Sequence, residues 1–161
     1  MTSVVYPGSF NPITNGHRDI VERALRLFDQ VVVAVGTSPD KDPATHLAER
    51  IGLCRLALAE FGDRVEVEGF NVLLVDYARM KNTRFVVRGL RTITDFDYEN
   101  QMIAMNQTMD PNLEYVLLPT SRQWSFLSSS RVREIASLGG DISEFVHPAV
   151  AEHYGNASPT G

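Results

Sequence analysis

The chain has 161 residues, 43% hydrophobic and 22% charged, the balance of a single folded domain with its own core and too apolar for a disordered chain. Its formal net charge is −5 and no block of lysines and arginines occurs, so broad attraction to nucleic acid or an anionic membrane is not expected, and any bound anion must be held locally. Cys54 is the single cysteine, which excludes an intramolecular disulfide and argues against a cysteine-built zinc site.

The first strand is expected at "SVVY" (3–6), followed by a helix whose apolar stripe is Ile20, Val21, Ala24, Leu25 and Phe28. A second strand, "VVVAVG" (31–36), is continuously apolar, as a strand buried on both faces should be. Helical spacing resumes from Leu47 to Phe61, where Leu47, Ile51, Cys54 and Leu58 share a stripe, making Cys54 a small core residue. "RVEVEG" (64–69) alternates and suits a sheet edge. Then come a helix from Val72 to Met80, the apolar strand "RFVVRG" (84–89), a helix from Phe96 to Met109, the strand "EYVLLP" (114–119) and a helix from Val132 to Leu138. "NASPTG" reads as a loose tail, from about residue 155. Five strand–helix alternations predict one α/β domain over 1–161, Rossmann-like, with a five-stranded parallel sheet and helices on both faces. No apolar run is long enough to span a bilayer, and "MTSVVYPGSF" has neither a basic leader nor a signal-type segment, so a cytoplasmic protein is expected.

In such sheets ligands sit beyond the carboxyl ends of the strands, where the strand order reverses. The loops at those ends concentrate lysine, arginine, histidine and hydroxyl residues in an acidic chain. In "YPGSFNPITNGHRDI" (6–20), Gly8 and Gly16 allow close approach of backbone to a ligand, and a helix beginning near Thr14 to His17 offers free amides and a positive dipole end. His17 is either a phosphate hydrogen-bond donor or a surface histidine in a turn. Arg88 and Arg91, three residues apart after a strand, can fork onto phosphate oxygens or stand as solvated charges. Ser128, Ser129 and Ser130 serve as a helix cap, an anion cradle with Arg133, or both. Lys41 on its own reads as a solvated loop lysine, Glu99 as an exposed helix residue, and Trp124 and Phe126 as buried anchors or ligand contacts. Walker, GxGxxG, HExxH and GxSxG patterns are all missing.

Three segments together, "YPGSFNPITNGH", "VVRGLRTITDFDYE" and "WSFLSSSRVRE", resemble the bacterial phosphopantetheine adenylyltransferases, within the nucleotidyltransferase superfamily marked by TxGH and ISSTxxR signatures. The resemblance runs from about residue 3 to residue 150, in order and in register. It implies reversible transfer of the adenylyl group of ATP to 4'-phosphopantetheine, giving dephospho-coenzyme A and pyrophosphate, by direct in-line attack without an enzyme nucleophile. It implies that His17, with the amides of Ser9 and Phe10, stabilises the α-phosphate, and that Lys41 and Arg91 act on the same centre. Gly89, Leu90, Arg91 and Glu99, with Trp124, Ser125, Phe126, Leu127, Ser128, Ser129 and Ser130, would contact ATP. Ser9, Lys41, Leu73, Leu74 and Arg88 would hold phosphopantetheine, and Mg2+ would ride on the phosphates. A homohexamer of two stacked trimers and feedback inhibition by coenzyme A are also implied. Ser9 stands where the family usually has threonine, Asn11 where aspartate is frequent and Leu127 where isoleucine is usual. The alternatives are a sister cytidylyltransferase or nicotinate-mononucleotide adenylyltransferase, or a nucleotide-binding regulator without catalysis.

Overall fold

Val31, Val33, Val35 and the intervening Val32 and Ala34 are all buried, so the second strand is covered on both faces. Alternation then sorts its side chains into two layers. Val31, Val33 and Val35 join Val4, Tyr6 and Val87 in the larger core against Ile20, Val21, Leu53, Cys54, Val132 and Val150. Val32 and Ala34 pack with Val5 and Tyr77 on the opposite face, next to a third cluster of Val75, Ala78, Val86 and Leu113.

These layers belong to a computed structural model that describes residues 1–37 and 46–157. Its elements are β1 (Ser3–Gly8), α1 (Asn15–Ala24), β2 (Gln30–Gly36), α2 (Leu47–Ala57), β3 (Val65–Phe70), α3 (Leu74–Met80), β4 (Phe85–Leu90), α4 (Ile93–Met109), β5 (Glu114–Pro119), α5 (Ser129–Ser137) and α6 (Pro148–Ala157). The strands are parallel in the order β3-β2-β1-β4-β5. The α/β, five-stranded, two-faced architecture is as the sequence predicts, and the alternating β3 is an edge. The order reverses between β1 and β4, which places the expected crevice at the ends of these two strands.

Three features differ from the sequence reading. β1 continues through Pro7 and Gly8, pairing in register with β2 as far as Val35, so the loop begins two residues later than expected. Residues 59 to 61, expected as the end of the second helix, belong instead to a separate 3-10 segment, Ala59–Arg64, with Gly62 at φ 60°. The C-terminal segment, expected to loosen from about residue 155, carries α6 through Ala157. Pro148 opens α6, where a missing N–H costs nothing, and "AVAEHY" follows; that pattern was the available signal. Val146 and Val150 bury in the larger core, and the Phe145 carbonyl accepts a 2.8 Å hydrogen bond from Asn15 N–H, so the chain end steadies the start of α1.

Cys54 is fully buried and its thiol is pushed up to about 12 by burial, an inert core residue as expected. No helix of the described residues is long and apolar enough to cross a membrane. Leu113, 1% exposed, anchors the cluster at the opposite end of the sheet from the β1–β4 crevice. Leu113→Ala should lower unfolding free energy in urea by roughly 2–5 kcal/mol while leaving the crevice chemistry of the folded fraction unchanged.

Candidate active site

The join between β1 and α1 is built by reciprocal hydrogen bonds. Thr14 is the N-cap: its hydroxyl accepts from His17 N–H at 3.4 Å, and its own N–H donates to His17 Nδ1 at 2.9 Å. A backbone N–H can only donate, so Nδ1 must be unprotonated and the ring's proton sits on Nε2. The imidazole is therefore held by one nitrogen and offers the other as a donor. It packs edge-on against Phe10 at 5.0 Å between ring centres, with Tyr6 behind at 6.4 Å. Burial, then the Arg88 and Arg91 charges, bring its pKa down to about 3, so it is neutral throughout the physiological range.

Arg88 stands at the end of β4. Its Nε and one terminal nitrogen reach Glu99 Oε1 at 2.9 and 2.8 Å, and the other terminal nitrogen donates to the Pro7 carbonyl. Three of five N–H donors are so used, and the remaining two are left for a ligand. Glu99, expected on an exposed helix face, is 5% exposed, because α4 turns Glu99, Met102 and Asn106 inward at helical spacing. Four other apolar residues of α4, Ile93, Phe96, Met105 and Met109, are exposed.

Arg91 donates to the Leu127 carbonyl at 2.6 Å and so ties the β4–α4 loop to the entry of α5. There Ser128 caps α5 by accepting from Arg131 N–H at 3.2 Å, Ser129 donates to the Pro12 carbonyl at 2.8 Å, and Arg133 donates to the Asn11 carbonyl. Ser128 is the residue that caps the helix, and all three serines border the cavity that Arg133 also lines.

A cavity of about 620 Å³ is lined by Ser9, Phe10, His17, Arg88, Gly89, Arg91, Glu99, Leu127, Ser128, Ser129 and Ser130. The imidazole and both guanidiniums thus share one space. Thr94, Asp95, Tyr98 and Arg133 line it too. An adjoining, more apolar cavity of about 260 Å³ shares Ser9, Arg88 and Glu99 and runs past Leu74, Phe70, Met102, Asn106 and Tyr115. Leu73 is exposed ahead of α3, and Leu90 uses its carbonyl for Thr120; neither is among the residues lining these two cavities. Trp124 packs against the larger core beside Gly16, the Ser125 hydroxyl donates to the Arg122 carbonyl, and Phe126 is exposed against Phe145, so these three stand outside the cavity. Lys41 lies outside the described residues. Gly8 and Gly16 both border the larger cavity, but Gly8 also has a packing reason: a Cβ there would lie 3.0 Å from the Phe10 ring.

A crevice at the β1–β4 reversal, furnished with a neutral imidazole donor, arginines and a serine-capped helix start, defines a protein of the nucleotidyltransferase class. The family model for cytidylyltransferase-like proteins matches residues 5–135. The phosphopantetheine adenylyltransferase of Hahella chejuensis is 47% identical over 152 residues, covering 94% of each chain. That of Heliobacterium modesticaldum is 48% identical over 160 residues, covering 97% of this chain and 95% of its own. The chain belongs to the phosphopantetheine adenylyltransferase family. A solved Vibrio parahaemolyticus structure, assigned as a nicotinate-nucleotide adenylyltransferase, shares the fold with a TM-score of 0.69 at 20% identity, covering 94% of this chain and 91% of its own.

Because His17 binds its proton less tightly folded than unfolded, its contribution to stability is complete above about pH 6.5 and declines as pH falls toward 3. His17→Gln keeps a capping-box acceptor at that position and removes the titration. Between pH 7 and 5, wild type should lose about 1–2 kcal/mol more unfolding free energy than His17→Gln. In NMR spectra the His17 ring should stay neutral, with its proton on Nε2, from pH 8 to 5; a midpoint near 6.5 would contradict the geometry.

Proposed function

We propose that this chain transfers the adenylyl group of ATP to 4'-phosphopantetheine, releasing pyrophosphate and forming dephospho-coenzyme A. The observation that carries the reading is the neutral His17 donor meeting Arg88 and Arg91 at one cavity, in a chain related over nearly its whole length to enzymes of that name. An oxygen of the acceptor phosphate forms a bond to the α-phosphorus as the bond from that phosphorus to the bridging oxygen breaks, and the leaving electron pair goes to pyrophosphate. The described residues supply donors and positive charge for this step and no activated serine or cysteine, so alignment and charge stabilisation carry it.

His17 Nε2–H would donate to an α-phosphate oxygen. A neutral imidazole donates without first losing a proton to the negatively charged ligand, and its donation is unchanged across the working pH range. The Ser9 and Phe10 amides, the start of α1 and Arg91 add further positive potential, and Lys41 would join them. Gly89 and Glu99 would hold ATP, with the α5 entry, Leu127 to Ser130, receiving its adenine side and outer phosphates. Ser9, Arg88 and Leu74 would hold phosphopantetheine, whose arm suits the apolar 260 Å³ cavity that all three line. MgATP would be the nucleotide substrate, because Mg2+ keeps most of its waters and rides on phosphate oxygens with few protein ligands.

The same reading makes the enzyme cytoplasmic, where its nucleotide is supplied, and a homohexamer. The exposed apolar face of α4, with Ile93 83% and Met105 62% exposed, supports association, since side chains of this kind are normally covered. Sedimentation of the purified protein should give a hexamer, and charged substitution at Ile93 and Met105 should dissociate it.

Pyrophosphate release should be strong with ATP and 4'-phosphopantetheine and absent with CTP and glycerol phosphate or with ATP and nicotinate mononucleotide. Turnover with either of the latter pairs alone would overturn the assignment. His17→Ala should lower turnover on the order of a hundred- to a thousandfold with folding retained. Lys41→Ala and Arg91→Ala should also depress turnover strongly, and a near-normal rate in either would remove that residue from the catalytic set.

A further inference from the structure

Arg50 is a charged side chain that the chemistry above does not use, yet it is 3% exposed and lies directly behind the site. It projects from the first turn of α2, and one guanidinium nitrogen donates both to the Ser9 carbonyl and, at 3.0 Å, to the Gly36 carbonyl. Gly36 ends β2, and Ser9 follows the last residue of β1. One cation therefore bridges the carboxyl ends of two neighbouring strands.

The residue after Ser9 is unusual. Phe10 has φ 45°, in the left-handed region that a bulky side chain rarely occupies, and its ring is 2% exposed, packed on Tyr6 and His17. Phe10 nonetheless borders the 620 Å³ cavity. Its N–H donates to no acceptor among the described residues. In a trans peptide the C=O and the following N–H point in opposite directions. A Ser9 carbonyl drawn inward onto Arg50 therefore turns the Phe10 N–H outward.

We propose that Arg50 is a positioning residue that locks the Ser9–Phe10 peptide with its N–H toward the transferred phosphoryl group. The proposal rests on the adenylyl-transfer reading above. The alternative orientation of this peptide is a rotation of the plane about its flanking bonds, which would relax the strained φ of Phe10 and present a carbonyl oxygen to the phosphate instead of a donor. That exchange replaces attraction with repulsion at the reacting centre. Arg50 suits the task because it carries a permanent charge and can serve two carbonyls from one planar group. The strain at Phe10 is held in place by the guanidinium on one side and by the seated ring, which Gly8 admits, on the other.

The test uses the full-length protein, 15N-labelled, with ATP as probe and no acceptor, beside steady-state adenylyl transfer and thermal unfolding. In wild type the Phe10 amide proton should move downfield on ATP addition. Arg50→Lys keeps the charge and a stem of similar length but loses the planar group. It should remain folded, lose most of the Phe10 shift, and lose roughly tenfold to a hundredfold in kcat with KM for ATP within about threefold. Arg50→Gln, which also loses the charge, should show a deeper kcat loss and a raised KM. A merely structural arginine would lower the unfolding temperature and leave both kcat per folded molecule and the Phe10 shift in place. An Arg50→Lys protein with wild-type kcat and a wild-type Phe10 shift overturns the proposal, as does a wild-type Phe10 amide that ignores ATP. Wild-type protein that binds ATP with the Phe10 shift but transfers nothing to 4'-phosphopantetheine would instead overturn the functional reading and leave the peptide lock standing.

Discussion

The hydrogen bond from Thr14 N–H to His17 Nδ1 does three things at once, and the site depends on all of them. It satisfies a backbone donor at the start of α1, it fixes the ring's orientation, and it determines which nitrogen carries the proton. Protonating Nδ1 would break the cap, in an environment where burial and two arginines already oppose a positive charge. The imidazole is thus a permanent, uncharged donor. For a reaction between two anionic phosphates this matters, because a group that needs no proton inventory contributes the same stabilisation at every working pH.

Charge is handled by concentration. The chain is acidic as a whole, yet Arg88, Arg91 and Arg133 converge on the cavity that His17 lines. Each is anchored by protein oxygens: Arg88 by Glu99 and Pro7, Arg91 by Leu127, Arg133 by Asn11. Such anchoring uses part of the guanidinium's donor set and aims the rest, so the ordering cost is met in folding and not on binding. The anchors also stitch together loops from β1, β4 and β5, which is how the sheet's reversal becomes one pocket.

Much of the fold was legible because its signals are local. Continuous valine runs mark strands buried on both faces, breakers and helix-start residues mark the loop before α1, and the three matched segments mark the family. Glu99 and α4 were not legible in the same way. An apolar stripe from Phe96 to Met109 correctly indicates a helix but says nothing of which face meets the sheet; here the polar face does, because Glu99 and Asn106 find Arg88 and Tyr115 as partners. Arg50 carries no signal of its own on a helix whose apolar stripe is Leu47, Ile51, Cys54 and Leu58, and α6 is marked only by its opening proline and the short run that follows.

The sequence alone determined the alternation of strands and helices, the burial of β2 and β4, and the residue types gathered after each strand, since these follow from the periodicity and chemistry of neighbouring residues. Only the tertiary structure decided that Arg88 meets Glu99, that Arg91 meets Leu127 and that Arg50 meets Ser9. Those partners are 11, 36 and 41 residues apart. Hydrogen bonds over such separations depend on strand order and helix placement, which local periodicity does not encode.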